Sequence, residues 1–146
     1  MQGWGGRLRQ AWNGYWFAQG SGIGLAVFRI AFGIILLLYH VPRLWYLSEL
    51  YTKAGFVVPF RYFQALHLPI PDLPAVIAMN VLLHLAIMAM ILGYRTRLAA
   101  AVVFILHSYF NMLERFSSGS FGYIIMIYAL LLVRSPAGTC WSVEAL

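Results

Sequence analysis

Four long apolar segments, separated by short polar or proline-rich breaks, constrain the fold of this chain more than any other feature. They cover about residues 21–41, 74–93, 98–113 and 119–133. A helix needs about 20 predominantly apolar residues to cross the hydrocarbon core of a bilayer, so the first two segments are long enough and the last two are short. The sequence therefore predicts a polytopic membrane protein with four transmembrane helices.

Composition excludes the other broad classes of protein. Hydrophobic residues make up 62% of the chain and charged residues only 10%, which is too apolar for a soluble domain of 146 residues. The net charge is +6 at pH 7, but the basic residues are scattered singly or in pairs between apolar runs. This distribution is typical of charges that flank membrane spans, and it indicates no nucleic-acid partner.

The expected architecture is an all-α helical bundle. Backbone polar groups inside a bilayer must be satisfied within the protein, and no alternating strand pattern appears, so a transmembrane β-barrel is excluded. The turn at residues 93–97 is too tight for anything but an antiparallel helical hairpin. We therefore expect one integral membrane domain over residues 1–146, with no soluble module.

Two further segments carry aromatic residues outside the predicted spans. Near the N-terminus, Trp4, Leu8 and Trp12 recur at helical spacing with polar residues between them, which predicts a short helix lying in the headgroup region. The long first loop, about residues 42–73, is rich in aromatic residues and proline. Such a loop either forms a lid over the bundle or anchors the chain at the headgroups.

Basic residues in short loops predict the orientation. Arg95 and Arg97 lie in the tightest turn and favour the cytoplasmic side, which places the N-terminus and the C-terminus on that side as well. We expect an integral protein of the plasma (inner) membrane. Its expected partners are the lipid bilayer and either a second copy of the chain or a partner membrane subunit.

Arg29 lies inside the first apolar segment, where a cation is expensive. Arginine at the centre of a membrane helix costs roughly 2.5–3.5 kcal/mol on insertion scales, so a polar neighbourhood or a functional site is expected around it. At about 1.5 Å of helical rise per residue, Arg29, His84 and His107 lie at similar distances from the inner ends of their spans. The sequence therefore predicts a buried polar centre shared by these three residues.

Two asparagines extend this centre along the second and third spans. Asn80 lies four residues from His84 and Asn111 lies four from His107, so each pair occupies one helix face, and Glu114 continues the stripe on the third span. Intramembrane ionisable residues usually mark functional sites, although Asn and His also join helices through hydrogen bonds of about 0.6 kcal/mol each. The predicted ligand-binding residues are Arg29, Asn80, His84, His107 and Asn111, and the catalytic candidates are Arg29, His84, His107 and Glu114.

A quinone or a lipid headgroup is the expected ligand of this centre. We predict no metal site, because two histidines without a suitably placed third ligand do not complete a coordination sphere. Cys140 is the single cysteine, and the chain has no ligand set for haem or an iron–sulfur cluster. No cofactor other than a quinone is therefore expected.

Four short motifs follow one another along the chain: Phe28-Arg29-Ile30-Ala31-Phe32-Gly33, Tyr51-Thr52-Lys53-Ala54-Gly55, Leu92-Gly93-Tyr94-Arg95-Thr96-Arg97-Leu98 and Trp141-Ser142-Val143-Glu144-Ala145-Leu146. Their order resembles that of HTTM-domain proteins, which include the membrane part of vitamin K-dependent gamma-carboxylase. Each motif alone is weak, but together they extend over nearly the whole chain. The resemblance implies a helical membrane enzyme core that oxidises a reduced quinone and carboxylates glutamate side chains.

The same resemblance limits the activity that is expected. The carboxylase has an Asp-Lys pair after its third span, in which the Lys is the catalytic base, and the matching pair here is Glu114-Arg115. Arginine stays charged and does not act as that base, so we do not expect carboxylation. Larger relatives continue beyond the terminal motif, so the chain is expected to be either a compact member or part of a longer protein.

The turn Gly93-Tyr94-Arg95-Thr96-Arg97-Leu98-Ala99 also resembles a turn of DoxX-like proteins, which are small four-helix membrane proteins. That resemblance implies a different role, a non-catalytic membrane subunit of a quinone-linked oxidoreductase system. The aromatic first loop and the terminal motif favour the HTTM resemblance.

Overall fold

The computed structural model describes residues 22–55, 61–114 and 119–135, and every regular element in these ranges is a helix. The elements, in chain order, are α1 (Gly22–His40), a 3₁₀ helix (Val41–Tyr46), α2 (Leu47–Tyr51), α3 (Arg61–Ala65), α4 (Leu73–Leu92), α5 (Thr96–Leu113) and α6 (Ser120–Arg134). The all-helical prediction is confirmed for this part of the chain. The predicted N-terminal interfacial helix lies outside the described residues.

The long helices begin and end where the sequence chemistry requires. Pro42 lies in the first turn of the 3₁₀ helix and Pro74 in the first turn of α4, where a missing backbone N–H costs little. Gly93 ends α4 in the left-handed conformation, with φ 76°. The N–H groups of Gly93 and Tyr94 donate to the carbonyls of Met90 and Ala89, as in a Schellman motif. This cap reverses the chain directly into α5.

The four long helices pack as an up-and-down bundle. Consecutive long helices contact each other, and the ring of Tyr128 on α6 meets Phe28 and Phe32 on α1, which closes the bundle. Gly33 on α1 comes so close to Ile91 on α4 that a β-carbon there would overlap the Ile91 side chain. Buried apolar side chains from all four helices form the core, and they include Leu36, Leu83, Ile87, Val103, Ile125 and Leu132.

The outward faces of the bundle are apolar, as expected for helices surrounded by lipid. Leu38, Leu85 and Ile105 are 71%, 62% and 62% exposed. By length and composition, three stretches of the described chain can cross a membrane: Ile23–Tyr51, Leu73–Leu92 and Thr96–Leu113. The fourth predicted span corresponds to α6, which is apolar but only 15 residues long. The first candidate span is longer than predicted, because the helical course continues past Val41 to Tyr51.

The described parts of the long first loop fold back onto α5. The Tyr51 ring packs against Phe110 at 4.6 Å between centroids, and Phe63 packs against Tyr109. The Tyr109 hydroxyl donates a hydrogen bond to the carbonyl of Pro69. Trp45, in contrast, is 76% exposed, so the loop has both a face packed on the bundle and a face turned away from it.

Candidate ligand site at one end of the helix bundle

Three histidines from different helices form a cluster near the end of the bundle where α1 and α5 end. His40 Nε2 lies 3.2 Å from His107 Nδ1, and the two ring centroids are 5.3 Å apart. The His84 ring lies 6.3 Å from the His40 ring. Two predicted site residues, His84 and His107, are therefore brought together around His40, which the sequence patterns did not identify.

Gly122 on α6 supports the cluster from the other side. Its carbonyl oxygen lies 3.2 Å from His107 Nε2. A β-carbon at Gly122 would overlap the side-chain amide of Asn111, so only glycine lets α6 approach α5 this closely. The close approach brings a backbone acceptor within reach of the buried His107 imidazole. Burying the imidazole N–H without such a partner would cost free energy.

A polar cleft opens beside the histidines. Its empty space, open solvent included, is about 210 Å³, and the part that water can occupy is about 10 Å³, roughly one water molecule. Its lining combines aromatic and ionisable side chains, namely Tyr39, His40, Arg43, Tyr51, His107, Phe110, Asn111 and Glu114. We call this space the polar cleft.

Arg43 provides the positive charge of the polar cleft. Its guanidinium lies 3.7 Å from the centre of the Tyr39 ring and donates to the Tyr39 carbonyl at 2.8 Å. The Tyr51 side chain lies in the same lining, within the influence of the Arg43 charge. Glu114, which ends α5 and is buried, contributes a carboxylate to the same lining. The polar cleft therefore presents a cation, an anion and imidazoles within one small space.

The two predicted asparagines occupy different positions. Asn111 lines the polar cleft, where its Nδ2 lies 3.4 Å from the sulfur of Met126. Asn80 donates to the Val76 carbonyl of its own helix, and it lines an apolar groove between α2 and α4 instead. His84 lines that groove too, and its Nδ1 bonds the Asn80 carbonyl at 2.8 Å. Of the pair Asn80 and His84, only the histidine reaches towards His40.

Arg29 does not belong to the polar cleft. It is fully buried, but it precedes His40 by eleven residues on α1, about 16 Å along the helix axis. Because Gly33 meets Ile91 and His40 lies near His84, the same antiparallel register places Arg29 level with the turn between α4 and α5. The predicted common depth of Arg29, His84 and His107 is therefore wrong, because α1 is displaced along its axis relative to α4 and α5.

Sequence patterns missed His40, Arg43, Tyr39 and Tyr51. His40 lies at the predicted border of the first apolar segment, where a polar residue reads as the end of a span. The signal that was available is the spacing of Tyr39 and Arg43, which are four residues apart and therefore neighbours on one helical face. Within residues 22–55, 61–114 and 119–135, no group of three or more His, Cys, Asp or Glu side chains is arranged to hold a metal ion.

Comparison with known families decides between the two resemblances. A family model described as the HTTM domain matches residues 19–146, which include every residue of the polar cleft. The chain belongs to the HTTM domain family. Neither a curated protein nor a solved structure is similar enough to match this chain. The family match supports the HTTM resemblance and gives the DoxX-like resemblance no support.

Proposed function

We propose that this HTTM-domain protein crosses the membrane four times and binds the polar headgroup of a membrane-soluble ligand, a quinone or a lipid, in the polar cleft. The observation that carries the proposal is the meeting of His40, His107 and Arg43 with Glu114 inside apolar membrane helices. Buried polar groups at membrane depth are expensive, and they are retained where they serve a site or join helices.

The chemistry of the lining fits an oxygen-bearing headgroup. Arg43 and Tyr51 offer hydrogen-bond donors, while Glu114 and the imidazole nitrogens offer acceptors. A quinone presents carbonyl oxygens, and its reduced form presents hydroxyls, so both forms find partners in this lining. The apolar remainder of such a molecule would stay in the surrounding hydrocarbon.

The size of the polar cleft favours a quinone over a phospholipid headgroup. The space that water can occupy in the polar cleft is about that of one water molecule, which matches a single carbonyl or hydroxyl oxygen. A phosphate group, with its oxygens arranged around phosphorus, is larger than this space. We therefore propose that one quinone oxygen occupies this space while the ring lies at the mouth of the polar cleft.

The proposal does not extend to glutamate carboxylation. The position at which the related carboxylase carries its catalytic Lys is Arg115 here, and arginine keeps its charge. The alternative role is that of a non-catalytic membrane subunit, in which the same polar residues only hold the helices together. The two roles differ in whether the protein retains a small molecule.

Ligand extraction tests the proposal. The protein is purified in mild detergent as wild type, His107→Ala and Ser108→Ala, and bound small molecules are extracted and identified by mass spectrometry. Ser108 is a matched control, because it neighbours His107 on α5 but bonds only the Phe104 carbonyl of its own helix.

The expected result is a co-purifying quinone in the wild type and in Ser108→Ala. Its amount should fall about tenfold in His107→Ala, since losing a buried hydrogen-bond partner costs about 1–3 kcal/mol. Equal amounts of quinone in all three proteins, or none in any of them, would favour the role of a non-catalytic subunit.

A further inference from the structure

We infer that His40 is the residue that accepts a hydrogen bond from the ligand, and that the Gly122 carbonyl fixes this role through His107. The inference rests on the proposed function and adds two points to it. His40 is the residue that determines specificity, and the ligand is the donor of the hydrogen bond. Both points follow from the direction of each hydrogen bond in the histidine cluster.

The direction begins at Gly122. A carbonyl oxygen only accepts hydrogen bonds, so the bond at 3.2 Å requires the hydrogen to be on His107 Nε2. A neutral imidazole has a single N–H, and its other nitrogen is an acceptor. His107 Nδ1 therefore presents a lone pair to its neighbour.

That neighbour is His40. Because His107 Nδ1 accepts, His40 Nε2 must carry the hydrogen of the bond at 3.2 Å. The second nitrogen of neutral His40, Nδ1, is then an acceptor, and it makes no hydrogen bond within the described chain. The His40 side chain lines the polar cleft, and we place this acceptor against the space proposed for the ligand oxygen.

Two nearby groups reinforce the excess of acceptors. His84 Nδ1 donates to the Asn80 carbonyl, which leaves His84 Nε2 as an acceptor, and this atom is buried without a hydrogen-bond partner among the described residues. The same is true of Asn111 Oδ1, which belongs to the lining of the polar cleft. Arg43 directs one of its donors at the carbonyl of Tyr39.

A ligand hydroxyl satisfies the acceptor at His40 Nδ1 and a ligand carbonyl does not, although Arg43 and Tyr51 elsewhere in the lining can donate to a carbonyl. Unsatisfied buried acceptors cost about 1–3 kcal/mol each, so a donor placed among them is strongly favoured. A quinol hydroxyl donates to His40 Nδ1, whereas the carbonyl of the oxidised quinone would face a second lone pair. The polar cleft should therefore discriminate between hydroxyl-bearing and hydroxyl-free forms of one ring system.

The first test needs no ligand. The full-length protein is labelled with ¹⁵N-histidine, placed in lipid nanodiscs, and its imidazole nitrogens are assigned with His40→Gln, His84→Gln and His107→Gln. The expected tautomers carry hydrogen on Nε2 in His40 and His107 and on Nδ1 in His84. A hydrogen on Nδ1 of neutral His40 would overturn the inference, whatever the ligand is.

The second test measures discrimination with two probes. A short-chain benzoquinol, kept reduced under anaerobic conditions, is compared with its dimethyl ether, which has the same ring but no hydroxyl hydrogen. Wild type and Ser108→Ala should bind the quinol about tenfold more tightly than the ether, and His40→Phe should bind both probes equally. The tenfold ratio corresponds to one hydrogen bond.

The outcomes separate the two claims. Equal binding of both probes by the wild type would overturn the role of His40 and leave the proposed function intact. Binding of neither probe by the wild type would overturn the proposed function and this inference with it. A preference for the quinol that survives in His40→Phe would assign the discrimination to another residue.

Discussion

At the residue scale, Gly122 shows how one position without a side chain shapes the site. Its carbonyl bonds His107, and the absence of a β-carbon leaves room for the Asn111 amide. Gly122 is the third residue of α6, and glycine is a poorer helix former than alanine, so its presence there calls for a packing reason. The close contact between α5 and α6 supplies that reason.

Gly122→Ala should therefore lower stability by about 1–3 kcal/mol, since the new methyl group overlaps Asn111 and forces α6 away from α5. Gly24→Ala is the matched control, because no atom lies within 4 Å of a β-carbon at that position in α1. Its stability should equal or slightly exceed that of the wild type. Thermal unfolding in detergent checks both, and unchanged stability of Gly122→Ala would contradict the packing of α5 on α6.

Arg29 is a second residue whose role the structure revises. The register of α1 on α4 places it level with the turn between α4 and α5, at the height where α4 ends. Helix C-termini carry partial negative charge, which gives a buried cation a reason to be there without any ligand. The role that fits this position is stabilisation of the bundle at the end opposite the polar cleft.

Arg29→Leu should accordingly reduce the yield and thermal stability of the protein, by about 1–3 kcal/mol for the loss of a buried hydrogen-bonding cation. The fraction that folds should bind the benzoquinol like the wild type, in contrast to His107→Ala. Binding is measured on monodisperse protein after size-exclusion chromatography. Loss of quinol binding by well-folded Arg29→Leu would contradict this role and indicate that Arg29 contributes to the ligand site.

At the element scale, the extension of α1 explains what the sequence could and could not predict. Apolar length alone identified the long helices, and four-residue spacing found His84 and His107. Hydropathy does not specify the axial offset between neighbouring helices. The predicted depth of Arg29 in the bundle was therefore wrong, and His40 was missed. The polar cleft is completed by Tyr51, which lies beyond the predicted end of the first span.

Tyr51 tests the contribution of this extension. Tyr51→Ala should lower stability by about 3 kcal/mol, because it removes a buried ring that packs on Phe110. Tyr51→Phe should keep the packing but weaken quinol binding several-fold, because the lining of the polar cleft loses a hydroxyl donor. Trp45→Ala, at a position 76% exposed, is the control and should change stability by less than about 0.5 kcal/mol. Equal stability of Tyr51→Ala and Trp45→Ala would contradict the docking of α2 on α5.

At the scale of the whole molecule, the number of spans decides the arrangement in the membrane. Three stretches are long enough to cross, and α6 is shorter, with 15 residues. We propose that α6 also crosses, so that both termini face the cytoplasm and the polar cleft lies towards the outer surface. Basic residues in the turn between α4 and α5 favour this orientation.

The single Cys140 reports on this topology without any mutation. With four spans and a cytoplasmic N-terminus, a membrane-impermeant maleimide should label Cys140 only after the cells are permeabilised. With three spans and a cytoplasmic N-terminus, the C-terminus lies outside the cell, and Cys140 is labelled in intact cells. Cys140→Ser provides the background. An introduced cysteine at Lys53, expected on the outer side, provides the positive control.

The most direct test of the central claim is to locate a bound quinone on the protein. An azido-benzoquinone photoprobe is cross-linked to the protein in nanodiscs, and the labelled peptides are identified by mass spectrometry. Labels are expected on lining residues of the polar cleft, such as His40, Arg43, Phe110 or Glu114, and they should be lost when unlabelled quinol competes. Labels confined to the apolar groove between α1 and α6, around Phe32 and Tyr128, would contradict a headgroup site in the polar cleft.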